Sequence, residues 1–573
     1  MALLFLVSLA LRCLALGAVT WADVPLLYDE ATYFDRAVAF SQIYGDLARG
    51  RAPEDEVWQR AYGEGHWPPL HAMLLALGLT IAGPTVAAAR FVMTLVAAAT
   101  TPLVFHCTRQ LAGTRTAWVA AGIFSVYPTL LAFSHYLWSE TTAIFVLLVA
   151  LHWTLRAAAA SEPRRVGRHA ALAGAALGLA SLTRAPNLPF LLVVPMWLAA
   201  RRGQRHGRLA AAATFGAGLL MLLPWQALAG AQEGRFVPVS TLGGYNLALG
   251  NNPWVPEGYG SSWGHEPSKA RLHAELRDLT EDRSISWGEA GYILARQEIL
   301  ARPGAFLRRS LTRLRMLWAP DFFPARHGFH AVYPPLAPTL AGALFLLSTV
   351  FYFALLVLAV IGLASRAGLA HRSLLLALVA SGMLLPAATL SISRLHLPLM
   401  VLLLPACAHG LCRLLPRLRQ PGTRPGWTVW AAGLLLPLAL VGTVPRLVEA
   451  YLLPSSHYAP VIERLPGVQV TYSDRLAWRW SGKAQAVLRF RLLEPSARLP
   501  NGTPERSWVV GPLPRETNFS VWSDSPWEIE ITSSSHDRPV RLRPIAPPAW
   551  RAWQPSGIPG LEYQWTGGGL PPT

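Results

Sequence analysis

Two carboxylates stand side by side at Asp29 and Glu30, in the stretch PLLYDEATYFDRA that follows the first apolar segment. Adjacent acids repel each other and gain nothing from lipid, so they are either a solvated loop pair or groups with work to do at a membrane surface. Other chemistry-bearing residues recur where apolar segments end. They are His66 in GEGHWPPLH, His135 and Glu140 in FSHYLWSE, Arg184 in SLTRAPN, and Arg394 with His396 in SISRLHLPL. The stretch STLGGYNLALGNNP adds Tyr245, Asn251 and Asn252. A carboxylate beside a hydroxyl can take its proton as the oxygen attacks carbon. A guanidinium offers a planar fork that neutralises a phosphate as charge develops on it. Acids and guanidinium groups in one cavity therefore suit transfer chemistry on a phosphate-bearing lipid. Each residue also has a plainer reading: an arginine snorkels to headgroups, a histidine packs, and Gly-Asn-Asn-Pro makes a turn.

The elements that must position these groups are apolar helices. Hydrophobic residues make up 52 % of the 573-residue chain and charged residues 14 %, against about 25 % in soluble domains. That depletion implies a polytopic membrane protein. The net charge of +18 would suit nucleic acid, but its distribution decides otherwise. Nearly every cation is Arg, with Lys confined to Lys269 and Lys483. Cys13, Cys107, Cys407 and Cys412 lie in or beside apolar segments, with spacing that fits neither zinc nor a disulfide framework.

A bilayer core of about 30 Å needs about 20 apolar residues in a helix. Segments 2–21, 88–108, 117–134, 136–155, 169–183, 187–200, 208–229, 337–363, 373–392, 396–412 and 427–446 meet or approach that length, which predicts about eleven spans. Segment 69–83 reads as an interfacial or partly embedded helix. Counted this way, the short loops holding Arg109 and Arg115, Arg156 to Arg168, Arg201 to Arg208, Arg366 and Arg372, and Arg413 to Arg424 fall on one side. That side is cytoplasmic by the positive-inside rule. The chain is thus expected in the cytoplasmic (inner) membrane with its N-terminus cytoplasmic. The first segment lacks the basic flank and small-residue cleavage site of a signal peptide. Two large outer loops, 22–68 and 230–336, and the tail 447–573 lie outside, on the side of all the polar residues named above. Within 295–318, six arginines interleave with Ile, Leu, Phe and Trp, the pattern of a basic amphipathic helix on anionic headgroups.

The tail is a different material, with short alternating stretches such as AQAVLRFRLL and PWEIEITSS between Pro, Gly and Ser turns. It predicts a small β-rich extracytoplasmic domain. The organisation is then a transmembrane domain over 1–446 and a C-terminal domain over 447–573. Asn501 and Asn518 match the glycosylation acceptor pattern, which chance accounts for.

The Asp29-Glu30 pair with Tyr33 after the first span, HWPPL leading into GPTVAAARF, LTR at 182–184, GGYNLALGNNP and SRLHLPL resemble, in order and in topological side, the family of protein O-mannosyltransferases and lipid A aminoarabinose transferases. The likeness covers most of residues 1–415. It implies an all-α GT-C fold and an integral-membrane glycosyltransferase, a hexosyl- or pentosyltransferase that takes a sugar from a polyprenyl-phosphate donor on the outer face, usually inverting it. Carried over, Asp29 is the general base with Glu30 its neighbour, and Arg184 and Arg394 are donor-phosphate ligands. His66, Glu140, Tyr245, Asn251 and Asn252 line the sugar or acceptor site. SRLHLPL departs from the family's more usual aromatic after the arginine, which weakens the match at Arg394. The acceptor is a protein, lipid or polysaccharide, and no nucleic acid is expected. No cofactor is assigned, although Asp29, Glu30 and His66 are donors of the kind a divalent cation takes. A lipid-linked glycan ligase or polymerase and a lipid or sugar transporter are the alternatives. The absence of internal repeats and the surface position of the polar residues speak against the transporter.

Overall fold

Prolines and small caps set where these helices begin and end. The computed structural model describes residues 1–21, 26, 29–201, 206–256, 258–262, 266–320, 338–365 and 368–418, and beyond them strand segments between 472 and 565. The expected span 427–446 and the domain boundary at 446 lie outside the described residues. The first half runs α1 (Ala2–Trp21), α2 (Asp29–Ala48), α3 (Asp55–Tyr62), α4 (Leu70–Ala82), α5 (Val86–Ala112), α6 (Thr114–Val126), α7 (Pro128–Phe133), α8 (Glu140–Ala159), α9 (Pro163–Thr183), α10 (Phe190–Ala199) and α11 (Gly207–Glu233). It continues through α12 (Gly243–Gly250), α13 (Glu266–Arg283), α14 (Trp287–Ala301), α15 (Pro303–Leu317), α16 (Pro338–Ala364), α17 (Arg372–Gly382), α18 (Leu384–Ala388) and α19 (Leu397–Leu418).

Among the described residues, five helices are long and apolar enough to cross a bilayer: Val86–Ala112, Glu140–Ala159, Gly207–Glu233, Ala343–Ala364 and Ser393–Pro416. Shorter apolar helices cover Ala2–Gly17, Leu70–Ala82, Ala185–Ala199 and Arg372–Ala388. Segment 117–134 differs from the expectation of one continuous span. Tyr127, at φ −62° and ψ 114°, is extended because the ring of Pro128 excludes the helical conformation from the residue before it. The chain stops at Val126, restarts as α7, and leaves a turn at 134–139 ahead of α8. That turn is part of the site described below.

Small residues draw the helices together where lipid supplies no hydrophobic drive between them. A Cβ on Gly174 of α9 would lie 2.0 Å from the Thr214 carbonyl oxygen of α11, and one on Gly362 of α16 would lie 2.0 Å from that of Ala406 on α19. The core they close runs from Val104 and Phe124 through Leu151, Leu177 and Trp225 to Tyr352 and Leu402. A second cluster joins α12, α13 and α14 through Leu249, Leu272 and Leu294.

The described backbone after α19 is strand. β1 (Tyr472–Trp480), β4 (Arg515–Ser523), β7 (Gln554–Pro555) and β8 (Leu561–Trp565) form one sheet in the order β4-β1-β8-β7. β2 (Ala486–Leu492), β3 (Glu505–Val510), β5 (Trp527–Ser533) and β6 (His536–Leu542) form another in the order β3-β2-β5-β6. Every pairing is antiparallel.

Candidate active site

Helix α2 opens on the acid pair, and its phase sends the two carboxylates different ways. Its buried side chains are Glu30, Tyr33, Arg36, Ala37, Phe40 and others at the three- and four-residue spacing of one helical face. The first three of these are polar, so the face works as a clamp. Glu30, 2 % exposed, accepts the Leu137 N–H at 2.8 Å. The Tyr33 hydroxyl donates to Ser139 Oγ at 3.2 Å, and Arg36 donates to the carbonyls of Ala61 and Trp67, each at 2.9 Å. Burial, reinforced by the Asp29 charge, pushes the Tyr33 phenol up to about 12, which keeps it a neutral donor. The clamp holds the 134–139 turn on one side and the segment 61–67 on the other. Asp29, one step round the helix, remains half-open.

Asp29 meets Arg394. An NH of Arg394 donates to Asp29 Oδ2 at 2.8 Å, and its Nε lies 3.4 Å from Glu140 Oε1. Arg184 reaches the same Glu140 oxygen. The Arg394 guanidinium carbon sits 4.8 Å from the centre of the Trp138 ring, a cation–π position. Exposure rises along the chain of charges, from 1 % at Glu140 through 14 % at Arg184 and 18 % at Arg394 to 32 % at Asp29. Both guanidinium groups and Asp29 are therefore partly exposed, while Glu140 is covered.

Local structure explains how each charge is presented. Arg184 is extended at φ −153°, ending α9, and Asn187 ties the following turn by donating to the Ala180 carbonyl at 2.8 Å. Arg394 lies in the short 3-10 turn Ser393–His396. His396, fully buried, fixes that turn: its Nδ1 bonds the Leu317 carbonyl at 2.6 Å, and its ring stacks on Trp318 and Tyr352. His71 under α2 bonds Thr142 and the Leu137 carbonyl, each at 2.9 Å, steadying the start of α8.

The remaining expected site residues stand elsewhere. The His66 carbonyl accepts from Ser240, and its ring meets Trp67, which in turn lies against Tyr33. His66 thus borders the site at the remove of one ring. The Tyr245 hydroxyl bonds His273 Nε2 at 2.9 Å, in the α12–α14 cluster. Asn251 and Asn252 are fully buried, which differs from a place lining a sugar site. Asn251 donates to the Leu247 and Ala388 carbonyls and accepts from Arg313, while Asn252 donates to Ala248 and Ser262. Glu140 differs from the lining expectation in the same way, being covered by its two arginines.

The sequence pattern puts Arg313 among the headgroup-facing arginines of 295–318, yet it is fully buried and donates to the carbonyls of Gly250, Gly260 and Ala387. Together with Asn251 it anchors the segment that leads to Arg394. Arg302 and Arg309 share Glu298, which leaves Arg308 and Arg315 exposed beside Leu307 and Leu311. Trp138 was missed altogether, and only its place two residues before Glu140 could have flagged it.

The donor set does not fit a divalent cation. Asp29 faces a guanidinium where the ion would sit, Glu30 takes a backbone N–H, and among the described residues no three His, Cys, Asp or Glu side chains converge.

Residues 66–227 match the model of the dolichyl-phosphate-mannose-protein mannosyltransferase family, a region that includes His66, Glu140 and Arg184. The resemblance to protein mannosyltransferases is met by this match over residues 66–227. The chain is a multi-pass membrane protein. No curated protein matches it. Among solved structures, it is similar to the Archaeoglobus fulgidus oligosaccharyltransferase in its apo form, at 16 % identity and TM-score 0.41, covering 78 % of this chain and 55 % of that one. The chain thus spans about half the length of that archaeal enzyme. It is also similar to ArnT from Cupriavidus metallidurans, at 16 % identity and TM-score 0.34 in the apo state, covering 78 % and 90 % of the two chains. The same ArnT bound to undecaprenyl phosphate gives 14 % identity and TM-score 0.35.

Proposed function

We propose that the chain moves a sugar from a polyprenyl-phosphate donor to an acceptor hydroxyl on the outer face of the cytoplasmic membrane, with inversion at the anomeric carbon. The observation that carries this reading is the line of charges Asp29, Arg394, Glu140 and Arg184, drawn from four distant segments. The family match over residues 66–227 supports a lipid-phosphate donor. The donor phosphate takes the two arginines, whose planar donors suit its oxygens and offset the negative charge that grows as the sugar leaves. Asp29 Oδ1 accepts the acceptor's hydroxyl proton while that oxygen forms its bond to the anomeric carbon. The sugar–phosphate bond breaks, and its electron pair leaves on the phosphate oxygen. Glu140 touches neither substrate; it positions the two arginines from below. The tail strands, as a β-rich domain outside the membrane, stand ready for the acceptor.

The test is transfer from radiolabelled polyprenyl-phosphate sugars to membrane acceptors, with wild type and Asp29→Asn expressed to one level. Labelling by wild type and its loss in the variant are expected. Equal labelling by both removes Asp29 as the base, and no labelling with any donor removes the transfer reading itself.

A further inference from the structure

A cavity of about 290 Å³ opens between α5 and α8, lined by Leu103, His106, Arg109, Gln110, His152 and Arg156. It stands far from the site above. Arg156 follows Glu140 by sixteen positions on one helix, which at about 1.5 Å per residue is about 24 Å, most of a bilayer core. The polar residues take helical neighbours' spacing on both walls: His106, Arg109 and Gln110 on α5, and His152 with Arg156 on α8. The walls are fixed against each other, since Cys107 of α5 meets the Leu148 carbonyl of α8.

The chemistry of the lining has one sign. It holds two guanidinium groups and two imidazoles and no carboxylate. Among the described residues neither Arg109 nor Arg156 makes an ion pair, and the acid of the adjoining loop, Glu162, is taken by Arg165 at 2.9 Å. Gln110 Nε2 donates to the His106 carbonyl at 3.3 Å, which fixes the orientation of its amide, and lies 3.2 Å from His152 Nδ1. Nδ1 must then accept, so the neutral His152 carries its proton on Nε2 as a further donor. The volume equals about ten waters at about 30 Å³ each, room for a phosphate and its substituent.

We infer that this cavity binds a phosphate group, as an ester or a diphosphate, at the end of the bundle opposite the Asp29–Arg394 site. Arg109 and Arg156, the exposed members of the lining, reach it from the rim, and His152 donates through Nε2 beside them. The basic loops flank this end, so the anion comes from the cytoplasmic leaflet or from the cytosol. The inference does not depend on the glycosyltransferase reading.

The full chain, purified in a neutral detergent, is delipidated and titrated with phosphatidylglycerol, with phosphatidylcholine and with inorganic pyrophosphate. Retained lipid is read by native mass spectrometry and pyrophosphate by calorimetry. The double variant Arg109→Gln, Arg156→Gln is compared with Arg164→Gln, Arg168→Gln, which removes the same charge from exposed positions that do not line the cavity. At least a tenfold weakening in the first pair alone is expected. Binding of phosphatidylglycerol without pyrophosphate assigns a lipid headgroup, and binding of pyrophosphate without lipid assigns a soluble phosphate. Equal affinities in the two double variants, or no anion bound by wild type, overturn the inference.

Discussion

Replacing Glu140 by Gln removes one charge and almost no volume, and it isolates what holds the two arginines. At the 3.4 Å separation from Arg394, a Coulomb attraction at an effective dielectric near 20 is about 5 kcal/mol. The arginines retain some water, so the realised loss is nearer the lower end of the ~3–5 kcal/mol seen when one partner of a buried pair is removed. With the carboxylate gone, Arg184 and Arg394 repel each other, and Asp29 is the counter-charge that remains. On the proposed mechanism, the two arginines then stand off their working geometry for the phosphate. Losing a preorganised donor set of this kind costs about 10²–10³ in kcat. The donor KM should not rise, because the site has become more positive. The assay pairs steady-state transfer with thermal unfolding in detergent, and Glu140→Asp should restore part of the rate because it restores the charge. Wild-type kcat and melting temperature in Glu140→Gln would refute the positioning role. A raised KM at unchanged kcat would instead put Glu140 against the substrate.

Three further outcomes follow from single contacts. Arg394→Lys keeps the charge but loses the planar fork that spans Asp29 and Glu140 over Trp138, so transfer should fall at least tenfold while a melting scan moves little. Gly174→Ala should lower stability by about 1–3 kcal/mol through overpacking against the Thr214 carbonyl, whereas Gly122→Ala, with open space around it, should be neutral or stabilising, as thermal unfolding will show. His273 is held down to about 4 by burial and by Lys269 and Arg277, below its unfolded value near 6.5. Its protonation favours the unfolded chain, so stability should be lost as pH falls from 6.5 towards 4, and His273→Gln should flatten that part of the melting-temperature profile.

How much of this was legible depends on what a one-dimensional pattern encodes. Arginine in alternate loops predicts one side of the membrane for the segments carrying Asp29, Glu140, Arg184 and Arg394, and in the structure these four side chains meet. It says nothing about depth from that face. Glu140 and Arg394 look alike in the sequence, yet one is beneath the other because a carboxylate between two guanidinium groups can afford burial. Arg313 and Arg308 share a helix, but only Arg313 points at three carbonyls left open by the Gly250 and Gly260 turns and the end of α18. Asn251 and Asn252 have polar side chains suited to a sugar and equally suited to backbone carbonyls; tertiary packing decides between them. The phase of α2 was readable in principle, since Glu30, Tyr33 and Ala37 fall three and four apart, and that spacing turns Glu30 inward and leaves Asp29 out.

On the proposed mechanism, Asp29 and the donor phosphate are rivals for one guanidinium. In the free protein Arg394 donates to Asp29 Oδ2, and a phosphate arriving at Arg394 must displace or share that contact. Asp29→Asn abolishes the charge competition and leaves the side chain's shape. The pair is partly exposed, so its worth is about 0–1 kcal/mol, which converts to a gain of up to about fivefold in affinity. A short-chain polyprenyl phosphate should therefore bind Asp29→Asn as tightly as wild type or several-fold more tightly, measured by calorimetry on the detergent-solubilised chain, even though transfer is lost. Arg394→Gln should bind it at least tenfold more weakly, since a charge-assisted hydrogen bond is worth about 1.5–3 kcal/mol. If Asp29→Asn instead weakens binding as much as Arg394→Gln does, then Asp29 holds the arginine in place and is not its competitor. The proton would in that case have to go to another base.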